Sequence, residues 1–272
     1  MNNNIVLLLT ACVNPGGMSY TQLQSPEIRK KQYIDALSFY LEKTSYPIVF
    51  VENSECDFSS DYTEYINSGR LEYLTFQGNN YDKSLGKGLG ETNILRYALK
   101  SSLLIKKCKY FIKITGRLKV NNISHFATSK WLLLHNVFRC DLLKSGYAQS
   151  MVFISSPKVL IKLLNNGFGS INDSLGIYFE HCLYESLRNS KRTIIIPFAE
   201  TPVIDGYSGS NNDKYITIPK FENLFRNLRI CTHLYAESHR YIMTLICLSV
   251  YLPYKFWFNC NKRKSKCLNY QS

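Results

Sequence analysis

Three short apolar runs alternate with helical patterns in the first 76 residues, and this alternation limits the possible folds more than any other feature of the sequence. The runs cover residues 4–13, 47–51 and 71–76 and have the length and composition of buried strands. Between them, Ser25-Pro26 opens a helix that extends to about residue 43, and a shorter helix covers residues 60–67. Because strand, helix and strand in this order form parallel pairs joined by right-handed crossovers, we predict an α/β fold with a mostly parallel sheet flanked by helices.

The composition describes a globular chain with an excess of positive charge. Its 272 residues are 45% hydrophobic, enough for one large domain and a small appendage, which we place at residues 1–235 and 236–272. A formal net charge of +13 indicates an anionic partner, such as nucleic acid, an anionic membrane or a phosphate-bearing substrate. Because the sequence carries no DNA- or RNA-binding motif, we expect no nucleic-acid partner.

The cysteines and the N-terminal residues bear on the compartment. The 9 cysteines are scattered without a CxxC pair, and the 5 histidines do not pair with them at zinc-ligand spacing. We therefore expect free thiols, a reducing cytoplasm and no zinc site built from these cysteines and histidines. Leu9-Thr10-Ala11-Cys12 matches a bacterial lipoprotein cleavage box, but no Lys or Arg precedes it and its apolar run is shorter than the ~7–15 residues of a signal core. We interpret this run as the first strand.

Residues 109–120 have the most distinctive chemistry of the chain. They begin as a buried strand and then break into Thr115-Gly116-Arg117, a small, flexible and cationic tip. Since side chains on a strand alternate between faces, we expect Lys113, Thr115 and Arg117 to share one side. Two cations and a hydroxyl at the carboxyl end of a central strand would suit a phosphorylated ligand. The alternative is a core strand with a Lys whose aliphatic stem is buried and an Arg that faces solvent.

A glycine-rich stretch, residues 81–91, lies upstream of this strand. Gly86, Gly88 and Gly90 alternate with other residues, and we predict that a helix runs from about Glu91 to residue 107. The stretch lacks the ending of a Walker loop and the spacing of a dinucleotide fingerprint. It could present backbone N–H groups to a phosphate at the start of the helix, or it could be a flexible loop.

The second half of the chain continues with strands and helices. We predict strands over residues 148–156 and 193–196, and helices over residues 157–164 and 175–188. Residues 200–213 are rich in Gly, Ser and Asn and are predicted to form a loop that could cover a site.

The C-terminal tail is first apolar and then basic. Residues 241–254 contain no charged side chain, and Lys255, two aromatic residues and a basic cluster at residues 262–266 follow. The uncharged segment is shorter than the ~20 residues needed to span a bilayer. We therefore predict a helix that lies in the interface of an anionic membrane, with contacts over residues 241–266. The alternative is a core helix with a solvated basic terminus.

Two of these stretches together resemble a known family. Gly88-Leu89-Gly90-Glu91 before a helix, followed by the run Phe-Ile-Lys-Ile-Thr-Gly-Arg at residues 111–117 and by Asn121-Asn122, is similar to a pattern in bacterial glycosyltransferases from capsule and lipopolysaccharide O-antigen gene clusters. The resemblance covers about residues 4–205, and its most specific part is the Lys-Ile-Thr-Gly-Arg run. Leu118 stands where that family usually has an aromatic residue.

The resemblance implies a GT-A-like, Rossmann-related domain that uses a nucleotide-activated sugar as donor. Most GT-A enzymes hold a divalent metal with an Asp-x-Asp after the central strand, and this sequence contains no Asp-x-Asp. Thr115-Gly116-Arg117 occupies that place. The resemblance thus implies that Lys113 and Arg117, helped by Lys87, replace the metal by neutralising the leaving nucleoside diphosphate. A divalent metal is not excluded, but no motif supports it.

Transfer to a hydroxyl with inversion also needs a general base. Our first candidate is Glu180, followed by Glu91, while Asp173, Glu200 and Asp205 stay open as alternatives. Arg117 could also act on the acceptor. The donor nucleotide is expected to contact the following residues: Thr10, Ala11, Asn14, Glu52, Lys87, Gly88, Lys113, Thr115, Gly116 and Arg117.

The resulting functional prediction is an enzyme of the hexosyltransferase type that acts in surface polysaccharide biosynthesis. It would transfer a sugar to a lipid-linked or oligosaccharide acceptor, in the cytoplasm and peripheral to the inner face of the plasma membrane. A non-catalytic membrane-edge protein that binds anionic lipid or polymer is the alternative. A nucleotidyl- or phosphotransferase would need a metal-binding carboxylate pair near the strand ends, and the sequence offers no convincing one.

Overall fold

The predicted fold class is confirmed: the protein is a mixed α/β structure with a mostly parallel central sheet flanked by helices. The computed structural model describes residues 5–127, 136–198, 200–210, 213–216 and 219–253. The strands are β1 (Ile5–Ala11), β2 (Ile48–Glu52), β3 (Leu71–Thr75), β4 (Tyr110–Thr115), β5 (Lys119–Val120), β6 (Val137–Lys144), β7 (Tyr147–Ser155), β8 (Ile194–Ile195) and β9 (Ile204–Asp205). The helices are α1 (Pro26–Lys43), α2 (Thr63–Asn67), α3 (Lys87–Ser101), α4 (Leu103–Lys107), α5 (Ile123–Ala127), α6 (Pro157–Gly167), α7 (Phe179–Asn189), α8 (Lys220–Glu237) and α9 (residues 241–253).

The central sheet has seven strands in the order β3-β2-β1-β4-β7-β6-β8. Strands β1 to β4 pair in parallel, and Leu7 of β1 lies opposite Ile48 of β2 on one side and Ile112 of β4 on the other. β7 runs antiparallel to both of its neighbours. A separate two-stranded sheet joins β5 to β9, so the chain just after the central strand is tied to the chain just after residue 200.

Apolar side chains fill the space on both faces of the sheet. Along β1, Val6 and Leu8 belong to one buried cluster, whereas Leu7 and Leu9 belong to the other, as the two-residue period of a strand requires. The first cluster includes residues of α3, α6, α7 and α8, and the second includes residues of α1. Because both faces are covered by helices, the strands read as nearly continuous apolar runs in the sequence.

The predicted start of α1 is confirmed. The helix begins at Pro26, and the hydroxyl of Ser25 accepts a hydrogen bond from the backbone N–H of Ile28 at 3.3 Å. The proline needs no hydrogen-bond partner at this position, because the first N–H groups of a helix are unpaired within it.

The prediction of one helix from Glu91 to residue 107 is wrong in its starting residue and in its continuity. The helix begins at Lys87, so Gly88 and Gly90 lie inside its first turns, and it stops at Ser101 before the separate α4. These glycines serve close packing, because a Cβ on Gly88 would lie 2.8 Å from Asp173 Oδ1 and a Cβ on Gly90 would lie 2.6 Å from Tyr81 Oη.

The helix predicted over residues 175–188 begins later than expected, at Phe179. Residues Asp173–Leu175 form a 3₁₀ turn instead, and Gly176 ends this turn in the left-handed conformation with φ of 73°. A left-handed residue interrupts the helical path, and glycine adopts it without steric cost.

The C-terminal part of the described chain is a helical hairpin. α8 and α9 are joined by a turn in which His239 has a positive φ of 54°, and the rings of Phe225 and Tyr251 lie 5.1 Å apart. Met243 and Cys247 of α9 pack against the first core cluster. The boundary predicted after residue 235 falls within α8, and the division into two domains stays a prediction. The basic cluster at residues 262–266 lies outside the described residues.

Candidate functional site

A cavity of about 330 Å³ opens at the carboxyl ends of β1 and β4. Its walls come from these two strands, from the first turns of α3 and α7, from β7 and from residues 208–210. This is the edge at which open parallel sheets usually bind ligands. The predicted site residues that line the cavity are Thr10, Ala11, Lys87, Gly88, Glu91, Thr115, Arg117 and Glu180.

Lys87 and Arg117 lie in the wall of this cavity, together with Arg29, whose guanidinium donates to the carbonyl of Cys12 at 2.8 Å. Burial lowers the pKa of Lys87, and the nearby carboxylates of Glu180 and Asp173 partly oppose this shift. Burial likewise lowers the pKa of Arg117, whose Nη1 has no hydrogen-bond partner among the described residues. A guanidinium with an unused donor beside an ammonium group forms a favourable environment for a phosphate or diphosphate.

The loop at residues 208–210 closes over these cations. Lys87 Nζ donates a hydrogen bond to Ser210 Oγ, and a Cβ on Gly209 would lie 2.4 Å from Arg117 Nη2. Residues 208–210, in the segment predicted to be a loop over residues 200–213, therefore supply part of the cavity wall, whereas Ile204–Asp205 of the same segment form β9.

Glu180 and Asp173 supply carboxylates to the cavity. Glu180 lies in the first turn of α7 and accepts a hydrogen bond from Ser150 Oγ. Asp173 Oδ2 accepts the backbone N–H of Gly88 at 3.2 Å, so this carboxylate already occupies the N-terminus of α3. Burial raises the pKa of Asp173, and the hydrogen bond from Gly88 opposes that shift.

Lys113 lies beneath the cavity and does not line it. Its side chain is fully buried, and its Nζ lies 2.5 Å from Glu91 Oε1 and 2.8 Å from the carbonyl oxygen of Ser150. The same Glu91 oxygen accepts a hydrogen bond from Thr10 Oγ1 at 3.0 Å. The ammonium group of Lys113 therefore joins β4 to α3 and β7, and its charge is already compensated by Glu91.

Glu52 and Asn14 also lie outside the cavity lining. The Glu52 side chain is fully buried and accepts backbone N–H groups from Val13 at 2.8 Å, Ser54 at 2.9 Å and Cys56 at 2.9 Å. These bonds hold together the loops that follow β1 and β2. Asn14 belongs to the first of these loops, where its N–H donates to Ser54 Oγ at 2.9 Å.

The remaining predicted residues are placed as follows. Gly116 brings the turn after β4 against β1, because its N–H donates to the carbonyl of Thr10 at 2.8 Å and a Cβ would lie 2.8 Å from the same oxygen. Glu200 lies 3.0 Å from His125 Nδ1, and Asp205 lies 4.0 Å from Lys214. Both carboxylates are exposed and outside the cavity lining, so of the alternative bases only Asp173 lies at the site.

Several residues of the cavity have no signal in the sequence. Tyrosines, asparagines and one serine come singly from distant parts of the chain, with no motif around them, and only the tertiary structure brings them together. These residues of the cavity lining are Tyr33, Asn53, Asn79, Tyr81, Tyr147, Ser150, Tyr178 and Tyr215.

The residues of the site do not fit a divalent metal. Within the part of the chain that the structure describes, no group of three or more His, Cys, Asp or Glu side chains could hold a metal ion. Glu91 is engaged by Lys113, Asp173 caps α3, and Lys87 lies near both Glu180 and Asp173.

No protein-family model and no curated protein matches the chain. Among solved structures, the chain is similar to a putative nucleotide-diphospho-sugar transferase from Desulfovibrio desulfuricans G20, at 10% identity over 72% of this chain and 80% of that one, with a TM-score of 0.42. It is also similar to a cytidylyltransferase from Leptospira borgpetersenii, at 12% identity over 92% and 96% of the two chains and a TM-score of 0.42. A third similar structure is S. aureus TarS residues 1–349 in complex with UDP, at 12% identity over 90% and 70% of the chains and a TM-score of 0.40. At these TM-scores the likeness carries no argument about the activity of this chain.

Proposed function

We propose that the protein is a glycosyltransferase that transfers a sugar from a nucleotide-sugar donor to a glycan acceptor. The observation that carries this proposal is the meeting of Lys87, Arg117 and Glu180 in one cavity at the carboxyl ends of β1 and β4. The resemblance of the Lys-Ile-Thr-Gly-Arg run to capsule and O-antigen glycosyltransferases supports a hexosyl donor, a lipid-linked acceptor and a role in surface polysaccharide biosynthesis.

In the proposed reaction, Lys87 and Arg117 bind the diphosphate of the donor. Breaking the bond between the sugar and the diphosphate places additional negative charge on the departing oxygens. Two fixed cations in a partly desolvated cavity stabilise this charge more strongly in the transition state than in the bound substrate.

Glu180 is the proposed general base. Its carboxylate would accept the proton of the acceptor hydroxyl as that oxygen attacks the anomeric carbon in an inverting transfer. Asp173 is less suited to this role, because its side chain is 2% exposed and caps α3, whereas Glu180 is partly exposed to the cavity. Glu91 is also less suited, because its Oε1 is shared by Lys113 and Thr10.

The test is isothermal calorimetry with a panel of nucleoside diphosphates and nucleotide sugars, with and without EDTA. We expect one nucleotide to bind in EDTA, and Arg117→Ala to weaken that binding by about 10- to 100-fold, as the loss of a charged hydrogen bond would. Arg192→Ala, which removes an exposed arginine outside the cavity lining, is the matched control and should bind like the wild type.

Product analysis then separates two classes of transferase. A glycosyltransferase releases a nucleoside diphosphate from the nucleotide sugar, whereas a nucleotidyltransferase makes the nucleotide sugar and releases pyrophosphate. If no nucleotide of the panel binds, or if Arg117→Ala binds the nucleotide as tightly as the wild type, the donor site and with it the proposed function are rejected.

We also propose that α9 rests in the interface of an anionic membrane on the cytoplasmic side. Tyr241, Ile242 and Leu245 are 64%, 76% and 65% exposed, while the opposite side of the same helix packs against the core. The tail that follows, residues 254–272, contains Lys and Arg and neither Asp nor Glu. This surface also favours the second candidate function, a non-catalytic membrane-edge protein that binds anionic lipid or polymer.

A further inference from the structure

Ser150 contacts two groups of the site with two different atoms. Its backbone carbonyl accepts a hydrogen bond from Lys113 Nζ at 2.8 Å, and its side-chain hydroxyl donates one to Glu180 Oε1. Ser150 lies on β7 and lines the cavity, whereas Lys113 lies on β4 beneath it. One residue therefore connects the buried ion pair to the carboxylate that we propose as the base.

The buried end of this connection is held in place from several directions. Lys113 is completely inaccessible to solvent, and its ammonium group is satisfied by Glu91 Oε1 at 2.5 Å, by the Ser150 carbonyl and by Thr115 Oγ1 at 3.3 Å. A buried ammonium group that lost one of these partners would be left without compensation, so the arrangement resists displacement. The pairing of Lys113 with Phe153 in the β4–β7 ladder fixes the same part of the strand.

The other end of the connection is in the cavity. The Ser150 hydroxyl occupies one oxygen of the Glu180 carboxylate and leaves the second oxygen for another donor. Ser150 is further oriented by its own N–H, which donates to Gln149 Oε1 at 3.0 Å. A carboxylate with one oxygen held by a fixed hydroxyl has fewer rotamers available, which is what a base needs to meet a substrate hydroxyl in one geometry.

We propose that Ser150 is the positioning residue of Glu180, anchored from beneath by Lys113. This inference rests on the proposed function, because it takes Glu180 as the general base. Ser150 forms no covalent bond to the substrate and gives up no proton in the reaction. It keeps its hydrogen bond to one carboxylate oxygen while the other oxygen of Glu180 receives the proton of the acceptor hydroxyl.

The test measures donor affinity by calorimetry and turnover with acceptor for three single variants. Ser150→Ala should lower kcat by roughly 10- to 100-fold, as expected for a misplaced catalytic group, and leave donor affinity unchanged. Ser150→Thr keeps the hydroxyl and should restore most of the turnover. Ser155→Ala is the matched control, since it removes another serine hydroxyl from β7 whose hydrogen bond goes to the backbone of Ser156, outside the cavity.

A double-mutant cycle separates positioning from a general structural effect. If Ser150 acts through Glu180, then Ser150→Ala should have almost no further effect on kcat in a Glu180→Gln background. Additive losses in the cycle, or full turnover in Ser150→Ala, would overturn the proposal while leaving the glycosyltransferase itself intact. If Ser150→Ala does not fold, Ser150→Cys replaces it in the same cycle. A lack of further loss in the Glu180→Gln background then supports the proposal, and additive losses overturn it.

The failure of the inference is distinguishable from the failure of the proposed function. A wild-type protein that binds no nucleotide and shows no turnover would reject both. A wild-type protein that binds and turns over a nucleotide sugar, with a Ser150→Ala variant of equal kcat, would reject only the role of Ser150.

Discussion

Asp173 places a carboxylate against the first turn of α3, in a space that two glycines leave open. A Cβ on Gly86 would lie 2.3 Å from the Asp173 side chain, and Oδ2 accepts the N–H of Gly88 at 3.2 Å. A negative charge is favourable at the N-terminus of a helix. Burial nevertheless raises the pKa of this carboxyl, so the ionised form is disfavoured in the folded protein.

This raised pKa gives a prediction for stability as a function of pH. The folded protein takes up the Asp173 proton at a higher pH than the unfolded chain does, so this group destabilises the fold as the pH rises from the acid side toward neutrality. Asp173→Asn keeps an acceptor for Gly88 and removes the titration. We expect the variant to gain stability relative to the wild type as the pH rises from 3.8, the ordinary pKa of an Asp carboxyl, to neutrality.

The measurement is urea unfolding of both proteins across that pH range. Lys87 and Glu180 also lie near Asp173 and are present in both proteins, so the quantity to compare is the difference between the two unfolding free energies at each pH. Curves that stay parallel would show that Asp173 does not titrate differently in the folded state.

The surroundings of Lys113 and Arg117 follow only in part from the sequence. Strand alternation correctly placed Lys113 and Thr115 on one side of β4, with Nζ and Oγ1 3.3 Å apart. It could not show that Glu91 arrives from α3 to neutralise Lys113, because that contact depends on how a distant helix packs. Arg117 lies past the end of the strand, where alternation no longer applies, and it lines the same cavity as Thr115 while lying near Arg29 and Tyr33 of α1.

At the scale of elements, the break between α3 and α4 is stabilised by two side chains: Ser102, whose hydroxyl accepts the N–H of Ile105 at 3.0 Å, and a carboxylate from the sheet. The carboxylate of Glu72 on β3 accepts the N–H groups of Leu103 at 2.8 Å and Leu104 at 2.9 Å, and the hydroxyl of Ser102 at 2.7 Å. These bonds satisfy the first N–H groups of α4, which have no partner inside the helix. The apolar pattern continues across this point, so the sequence alone predicted one helix.

We predict that Glu72→Ala lowers the free energy of unfolding by about 1–2 kcal/mol, the usual cost of losing an N-terminal cap. Glu72→Gln keeps one acceptor oxygen and should lose less. Urea unfolding measures both, and Glu64→Ala, which removes an exposed carboxylate from α2, is the control. A loss in Glu72→Ala no greater than in the control would show that α4 does not depend on this contact.

At the scale of the whole molecule, the strand–helix alternation of the first half predicted the parallel sheet correctly. The sequence also indicated β7 as a strand, but it did not show that β7 runs opposite to β4 and β6, because strand direction depends on pairing between segments distant in sequence. The glycine-rich stretch and the Lys-Ile-Thr-Gly-Arg run both reach the cavity. Most of the tyrosines around them could not be foreseen, since nothing local distinguishes them from core residues.

The proposed membrane contact is also a property of the whole molecule. Among the helices of the described ranges, none is long and apolar enough to cross a membrane. We predict that the protein sediments with vesicles containing phosphatidylglycerol and binds pure phosphatidylcholine vesicles weakly. Leu245→Glu combined with Ile246→Glu should lower binding to the anionic vesicles by at least about tenfold, because two charges would enter the apolar face.

The control for the vesicle experiment is Ile28→Glu, which places one glutamate on an exposed apolar position of α1, to be compared with Leu245→Glu alone as well as with the double variant. Raising the salt to 0.5 M should weaken wild-type binding if the basic tail contributes, since salt screens charges at the surface. Equal binding to both kinds of vesicle, or unchanged binding of the α9 variants, would show that α9 does not form the proposed contact with an anionic membrane.

The position of β1 in the sheet has a consequence for how the chain is made. β1 is synthesised before both of its partners; β2 follows soon after, but β4 on its other side emerges only about a hundred residues later. Until then a nascent chain on the ribosome presents β1 as an open edge, the kind of surface on which growing chains pair wrongly. The cavity itself is complete only when Tyr215 has been translated, so ligand binding can assist a late stage of folding but not its beginning.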